Sequence, residues 1–181
     1  MFTHYLIVFY LLFPAFLANM APQLATRFNI WGKLYYPIDF KETVFGKRIF
    51  GDNKTWRGFL FGVVGAILVA LVQYWLDKVN IIVIGELDGF WQFILFGFLA
   101  GFGALLGDSA ESFIKRQLAI GSGHPLIPLD QIDYLVGYLV LTSFLIAWSW
   151  SEIIFVLLCG IMLNPLANTI AYLLKIKKTY W

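Results

Sequence analysis

Three aspartates and a lysine–arginine pair stand out in a chain that is otherwise close to pure hydrocarbon. They fall in the runs Gly107-Asp108-Ser109-Ala110-Glu111-Ser112-Phe113-Ile114-Lys115-Arg116 and Leu129-Asp130-Gln131-Ile132-Asp133, between two long apolar stretches. A charged group at the centre of a membrane helix costs roughly 2.5–3.5 kcal/mol on insertion scales. Charges kept beside such stretches are therefore expected to act. Carboxylates offer the hard oxygen ligands that suit a divalent ion such as Mg2+, and lysine and arginine neutralise phosphate. The combination points to phosphoryl or nucleotidyl chemistry at a membrane surface.

Spacing decides which of these groups can meet. If the helix that ends near residue 106 continues, Asp108, Ser112, Lys115 and Arg116 stand at i, i+4, i+7 and i+8, on one face. Glu111 lies near the edge of that face. Asp130 and Asp133 are three apart and share a face at the start of the next helix. Asp130 could equally cap that helix, with Asp133 favouring its positive end. Taken with Asp108, the pair reads as a second acidic cluster converging on one metal. The connecting run Ile120 to Pro128 is rich in glycine and proline, and glycine lets a backbone approach a ligand closely. His124 within it reads as a loop histidine.

A second segment, Arg48-Ile49-Phe50-Gly51-Asp52-Asn53-Lys54-Thr55-Trp56-Arg57-Gly58, has the composition of a phosphate cradle just before a helix start. It is not a Walker A loop, because the Gly-Lys-Ser/Thr order is missing. Its cations could instead meet anionic headgroups. Lys54→Arg separates the two: a headgroup contact tolerates it, whereas a tight cradle does not.

The elements that must position these groups follow from composition. Of 181 residues, 60% are hydrophobic and 13% charged, against about 25% charged in soluble domains. The chain is an integral membrane protein, expected to form one domain over 1–181. Its single cysteine, Cys159, excludes an internal disulfide and reads as a small buried hydrophobe. Crossing a bilayer takes about 20 apolar residues, and five stretches qualify: about 5–22, 56–76, 90–106, 132–150 and 153–174. They lack a barrel's alternation, so they are helices and the fold is all-α. Met1–Pro22 has no basic start and no clean cleavage site, so it reads as a span rather than a signal peptide. Asn19 and Pro22 near its end read either as a kink or as a wall of the site.

Charge then orients the bundle. Arg27, Lys33, Lys41, Lys47, Arg48, Lys54 and Arg57 lie between the first two spans. Lys115 and Arg116 follow the third, and Lys175, Lys177 and Lys178 follow the fifth. Only Lys78 falls on the other side. The positive-inside rule places the N-terminus outside and the C-terminus in the cytoplasm. The site is then built from cytoplasmic loops of a multi-pass protein of the cell membrane. Gly58-x-x-x-Gly62, Gly97-x-x-x-Gly101 and Gly103-x-x-x-Gly107 mark close helix packing. Asp77, Glu86, Asp88 and Glu152 read as a solvated outer face, and His4 has no assigned role. Trp91, Trp148, Trp150 and Trp181 read as interface anchors.

The run Gly107-Asp108, then Ser112-Phe113-Ile114-Lys115-Arg116, then Pro128-x-Asp130-x-x-Asp133, resembles the signature of the phosphatidate cytidylyltransferase (CDP-diacylglycerol synthase) family. Pro37-x-Asp39, the Arg48–Gly58 segment and the short five-span length resemble its archaeal branch, CDP-archaeol synthase. Two features depart from the bacterial and eukaryotic signature. Gln131 stands where an arginine would follow the first aspartate, and Gly123-His124-Pro125 replaces a His-Gly-Gly element. The resemblance implies CTP and a prenyl-ether glycerol phosphate (di-geranylgeranyl, unsaturated archaetidic acid) as substrates, with CDP-archaeol and pyrophosphate as products. It implies Mg2+, and K+ as well in some members. It assigns Asp108, Asp130 and Asp133 to metal and catalysis with Lys115. Gly51, Asn53, Lys54, Thr55, Ser112, Lys115 and Arg116 go to the nucleotide, and Asp39, Arg48 and Arg57 to the lipid phosphate. It implies no nucleic acid partner and leaves a homodimer open. Lipid phosphate is already ionised at neutral pH, so no general base is needed.

Two other classes fit the residues less well. A cation transporter or channel would line its path with acids near mid-span, but here they sit beside a Lys-Arg pair. A CDP-alcohol phosphotransferase would carry Asp-Gly-x-x-Ala-Arg, which is absent.

Overall fold

The computed structural model describes residues 2–28, 32–121 and 124–175. Lys177, Lys178, Trp181 and the Ser122-Gly123 pair lie outside the described residues, as does the Lys33 side chain. Six α-helices and one short hairpin make up the described chain: α1 (Phe2–Leu11), α2 (Phe13–Arg27), β1 (Thr43–Val44), β2 (Lys47–Arg48), α3 (Trp56–Lys78), α4 (Phe90–Gln117), α5 (Leu129–Thr142) and α6 (Trp150–Leu173).

Four stretches are long and apolar enough to cross a bilayer: Phe2–Arg27, Trp56–Lys78, Phe90–Gln117 and Trp150–Leu173. The chain is a multi-pass membrane protein. The expected spans need three corrections. The first covers α1 and α2 together rather than 5–22. The third runs to Gln117 rather than 106. The fourth, expected over 132–150, is a helix of only 14 residues, about 21 Å long. It ends at Thr142, where hydroxyls turn back onto the helix: Thr142 donates to the Tyr138 carbonyl (2.7 Å) and Ser143 to that of Val140 (2.7 Å), while the Trp148 indole donates to Thr142 (3.0 Å). Residues 143–148 are apolar yet not helical, so hydropathy alone could not find the end. The β1–β2 hairpin was not expected either. Its two central residues, Phe45 and Gly46, both have positive φ, the geometry of a tight two-residue turn.

Lipid and bundle faces sort by size rather than by polarity. On α3, Leu60, Val64, Leu68, Val72 and Trp75 are exposed, while Gly62, Ala66 and Ala70 are buried against α4 and α2. Lipid tails are as apolar as leucine, so close backbone approach, not hydrophobicity, drives this packing. Gly97 and Gly101 of α4 sit on Ala66 and Ala70. The α4–α5 seam is tighter still. A methyl group on Gly107 would run into the Asp133 carbonyl oxygen, and one on Gly137 into that of Gly103.

Several buried polar groups pair across elements. Pro14 lacks the N–H that would bond the Tyr10 carbonyl, and Gln73 donates to that carbonyl instead (2.7 Å). At the far end of the bundle, His4 of α1 meets Glu152 of α6 at 2.8 Å. Glu152 also closes a capping box with Ser149. It is therefore a buried tie between helices, not part of a solvated face. Asp77 likewise accepts from the Ile84 N–H (2.7 Å).

Candidate active site

A cavity of about 810 Å³ opens at the other end of the bundle. Loops do not build it alone. Its walls come from α2, α4, α5 and α6, with residues 50–54 across the top.

α4 is unbroken through Arg116, so Asp108, Ser112, Lys115 and Arg116 lie on the face expected from their spacing, with Glu111 near its edge. The glycine seam then brings the start of α5 against them. Carboxylate oxygens of Asp108, Glu111 and Asp133 come within 4.8 Å of one another. This differs from the expected set of Asp108, Asp130 and Asp133. Glu111 completes this trio, while Asp130 lines the same cavity with its oxygens held by other partners. Asp130 accepts from the Leu126 N–H (2.8 Å) and from Lys115 (3.0 Å). Lys115 also reaches Glu111 at 2.5 Å. Lys54 bonds Asp108 directly. Two lysines thus sit among four carboxylates. The all-oxygen set Asp108, Glu111 and Asp133 fits a hard divalent cation, which takes one or more carboxylates together with substrate phosphates.

Lys54 reaches Asp108 because its backbone is pinned. Ile38 N–H donates to the Lys54 carbonyl (2.8 Å) and Trp56 N–H to that of Tyr36 (3.0 Å), flanking a bridge between Pro37 and Thr55. Thr55 caps α3, accepting from the Gly58 N–H (3.2 Å). Asp39 holds the preceding turn. Its carboxylate accepts from Arg48 (2.9 Å) and from the N–H groups of Lys41 (3.0 Å), Phe50 (3.0 Å) and Gly51 (3.1 Å). Burial raises the carboxyl pKa, but Arg48 and the three N–H groups outweigh it and bring it down to about 2. The same pairing raises the Arg48 pKa. Lys47 ties the hairpin to the end of α4 through the Gln117 carbonyl (2.5 Å).

Gly51, Asn53, Lys54, Asp108, Ser112, Lys115, Arg116, Asp130 and Asp133 all line the cavity; Asp39, Arg48, Thr55 and Arg57 do not. Asp39 is itself an anion with its side chain fully enclosed. Arg57 is buried, bonded to Thr26 (3.0 Å) and stacked on Tyr35 (4.6 Å). Asn19 and Pro22 do line the cavity, as does His124.

Sequence reasoning passed over Glu111 as a ligand and the amides of α6. Glu111 is three residues after Asp108, so helical spacing carried the signal. Asn164 donates to the Asp130 carbonyl (2.6 Å) and Asn168 to Asn164 (3.2 Å). Two asparagines four apart in an otherwise apolar span were the available clue.

The whole chain, residues 1–181, matches the family described as CarS-like, CDP-archaeol synthase. A CDP-archaeol synthase of Pyrobaculum islandicum is 36% identical over 174 residues, covering 96% of both chains. One from Archaeoglobus fulgidus is 37% identical over 150 residues, 80% of this chain and 84% of its own. A solved intramembrane enzyme of archaeal membrane lipid biosynthesis superposes with a TM-score of 0.69. Its identity is 27%, over 88% of this chain and 90% of its own. By sequence along its full length and by the course of its helices, this chain belongs to the CDP-archaeol synthase family.

Proposed function

We propose that the cavity is where CTP and a prenyl-ether glycerol phosphate meet. The chain forms CDP-archaeol from CTP in archaeal lipid synthesis, as a cytidylyltransferase of that family. A phosphate oxygen of the lipid attacks the α-phosphorus of CTP. That P–O bond forms, the bond from the α-phosphorus to the β-phosphate oxygen breaks, and pyrophosphate leaves.

Two anions must approach, so the site has to supply positive charge. Asp108, Glu111 and Asp133 would hold Mg2+, which when bound screens the phosphates and orients them. Lys54 lies on Asp108 and Lys115 on Glu111 and Asp130, so each can pass between carboxylate and phosphate within the cavity. Arg116 approaches Gly51 at the cavity wall, placing a guanidinium beside the cradle for bidentate phosphate contact. Asn53, Ser112 and the Gly51 backbone add hydrogen bonds to the nucleotide. Asp130 is a positioning residue that holds Lys115, and Asp39 with Arg48 shapes the cradle. Positioning and charge carry the rate, with no general base.

The site end faces the cytoplasm in this reading, since the basic residues gather there and CTP is a cytoplasmic metabolite. The N-terminus is then outside and the C-terminus inside, which requires the polypeptide from Leu129 to Ser149 to cross as the fourth of five passes. A cation path is not supported, because lysines sit on the acids that would line it.

The observation that carries this reading is the meeting of three carboxylates from α4 and α5 within 4.8 Å, in a cavity that also holds Lys54, Lys115 and Arg116. Purified protein given labelled CTP, Mg2+ and the lipid phosphate should release CDP-lipid, and Asp133→Asn should lower kcat by about 100-fold or more. Absence of CDP-lipid, or full turnover by Asp133→Asn, rejects it.

A further inference from the structure

One side of the cavity is not closed by packing. α2 and α6 both line it, yet among the described residues no Cα of one comes within 8 Å of a Cα of the other. Every other neighbouring pair around the site packs: α2 on α3 and α4, α3 on α4, α4 on α5, α5 on α6. The far end of the same seam is shut, where α1 meets α6 and His4 bonds Glu152. The result is a slot between α2 and α6 beside the cavity.

The slot is polar at one end and apolar at the other. At the cavity end, Arg27 in the last turn of α2 and Lys175 just past α6 both line the cavity, with Gln23 and Asn168 beside them. Neither cation forms an ion pair among the described residues, unlike Arg48, Lys54 and Lys115. Farther along, an apolar groove of about 550 Å³ lies between Phe2, Leu6 and Phe9 of α1 and Ile154, Phe155 and Leu158 of α6. Leu158 is six residues before Asn164, about 9 Å along the helix. An anionic head at the wet end and hydrocarbon at the dry end is the pattern of a lipid phosphate.

We infer that this slot is the lipid subsite: Arg27 and Lys175 grip the phosphate, Gln23 and Asn168 donate to the oxygens of the glycerol backbone, and an isoprenoid chain lies in the α1–α6 groove. This rests on the reading of the cavity as a cytidylyltransferase site. It moves the lipid phosphate away from Arg48 and Arg57, which stand outside the cavity. Both flanking helices carry a proline that lines the cavity, Pro22 and Pro165. Each removes one backbone hydrogen bond, to Ala18 and to Ile161. In each, a threonine four residues on bonds the proline carbonyl, Thr26 at 2.9 Å and Thr169 at 2.9 Å. The slot is thus bordered by the two helices least braced by their own ladders, as lateral entry of a two-chain lipid requires.

Two measurements test the assignment in neutral-lipid vesicles. Arg27→Gln and Lys175→Gln should each raise KM for the lipid phosphate about tenfold, while KM for CTP changes less than twofold. A lipid phosphate bearing a diazirine on its chain should label peptides from 2–9 and 151–158 of the unaltered protein, and excess unlabelled lipid phosphate should suppress this. A matching rise in KM for CTP would give these cations to the triphosphate and overturn the inference. So would unchanged KM values, a KM effect confined to anionic vesicles, or labelling on 57–78 and 90–106. Photolabelling needs no turnover. A protein that is labelled in the slot but forms no CDP-lipid would defeat the proposed reaction and leave the subsite standing.

Discussion

Glu111 and Asp130 are placed differently from what their neighbours in sequence suggest. Asp130 looks like a ligand because it is paired with Asp133 three residues on, but Lys115 and the Leu126 N–H claim its oxygens. Glu111 looks marginal, yet it joins Asp108 and Asp133. Glu111→Gln should therefore raise the Mg2+ concentration for half-maximal activity by about 10–100-fold. Asp130→Asn should act chiefly on KM for CTP, through Lys115. Metal titration of both variants checks this, and a larger metal effect at Asp130 would reverse the assignment. Asp39 makes a separate prediction. Its carboxyl falls from 3.8 to about 2 on folding. A group that binds its proton less readily when folded stabilises the fold above its unfolded pKa and loses that contribution as pH falls. The 39–51 turn should hold at neutral pH and loosen between about pH 4 and pH 2, read by protease cleavage in this segment. Asp39→Asn should abolish that window.

The α4–α5 seam sets the distance between the two acidic helices. Gly107 precedes Asp108, and the atom that a methyl there would strike is the carbonyl oxygen of Asp133 itself. Backbone cannot swing aside as a side chain can. Gly107→Ala should push α5 away and cost about 100-fold in kcat, the scale of a 1 Å misplacement. Metal affinity should fall with it while the protein stays helical by circular dichroism. Normal turnover would show that the seam yields elsewhere. Pinning of Lys54 by the bridged segments 36–38 and 54–56 is the second device at this scale. It lets a loop residue meet a helix residue 54 positions away.

For the whole molecule, the unsymmetrical packing has a functional sense. α2 to α5 form a closed unit around the acidic cluster, and α6 leans on it through α5 and α1. The proposed sidedness rests on the basic residues at the site end. In a Cys159→Ser background, Glu86→Cys should react with an impermeant maleimide in intact cells, and Lys41→Cys only after permeabilisation. Labelling of both from one side would overturn the assigned orientation.

Composition and hydropathy determined the helical membrane character, because lipid accepts no other open backbone. Helical spacing along α4 determined that Asp108, Ser112 and Lys115 share a face, because consecutive residues on one helix obey a fixed period. The Ser-x-x-Lys-Arg and Asp-x-x-Asp runs carried the family. Tertiary structure alone decided which third carboxylate joins Asp108 and Asp133, that Asp39 faces inward, where α5 stops, and that α2 and α6 stand apart. Each of these depends on contacts between elements distant in the chain, and the backbone approach permitted at Gly107 and Gly137 has no signature in local periodicity.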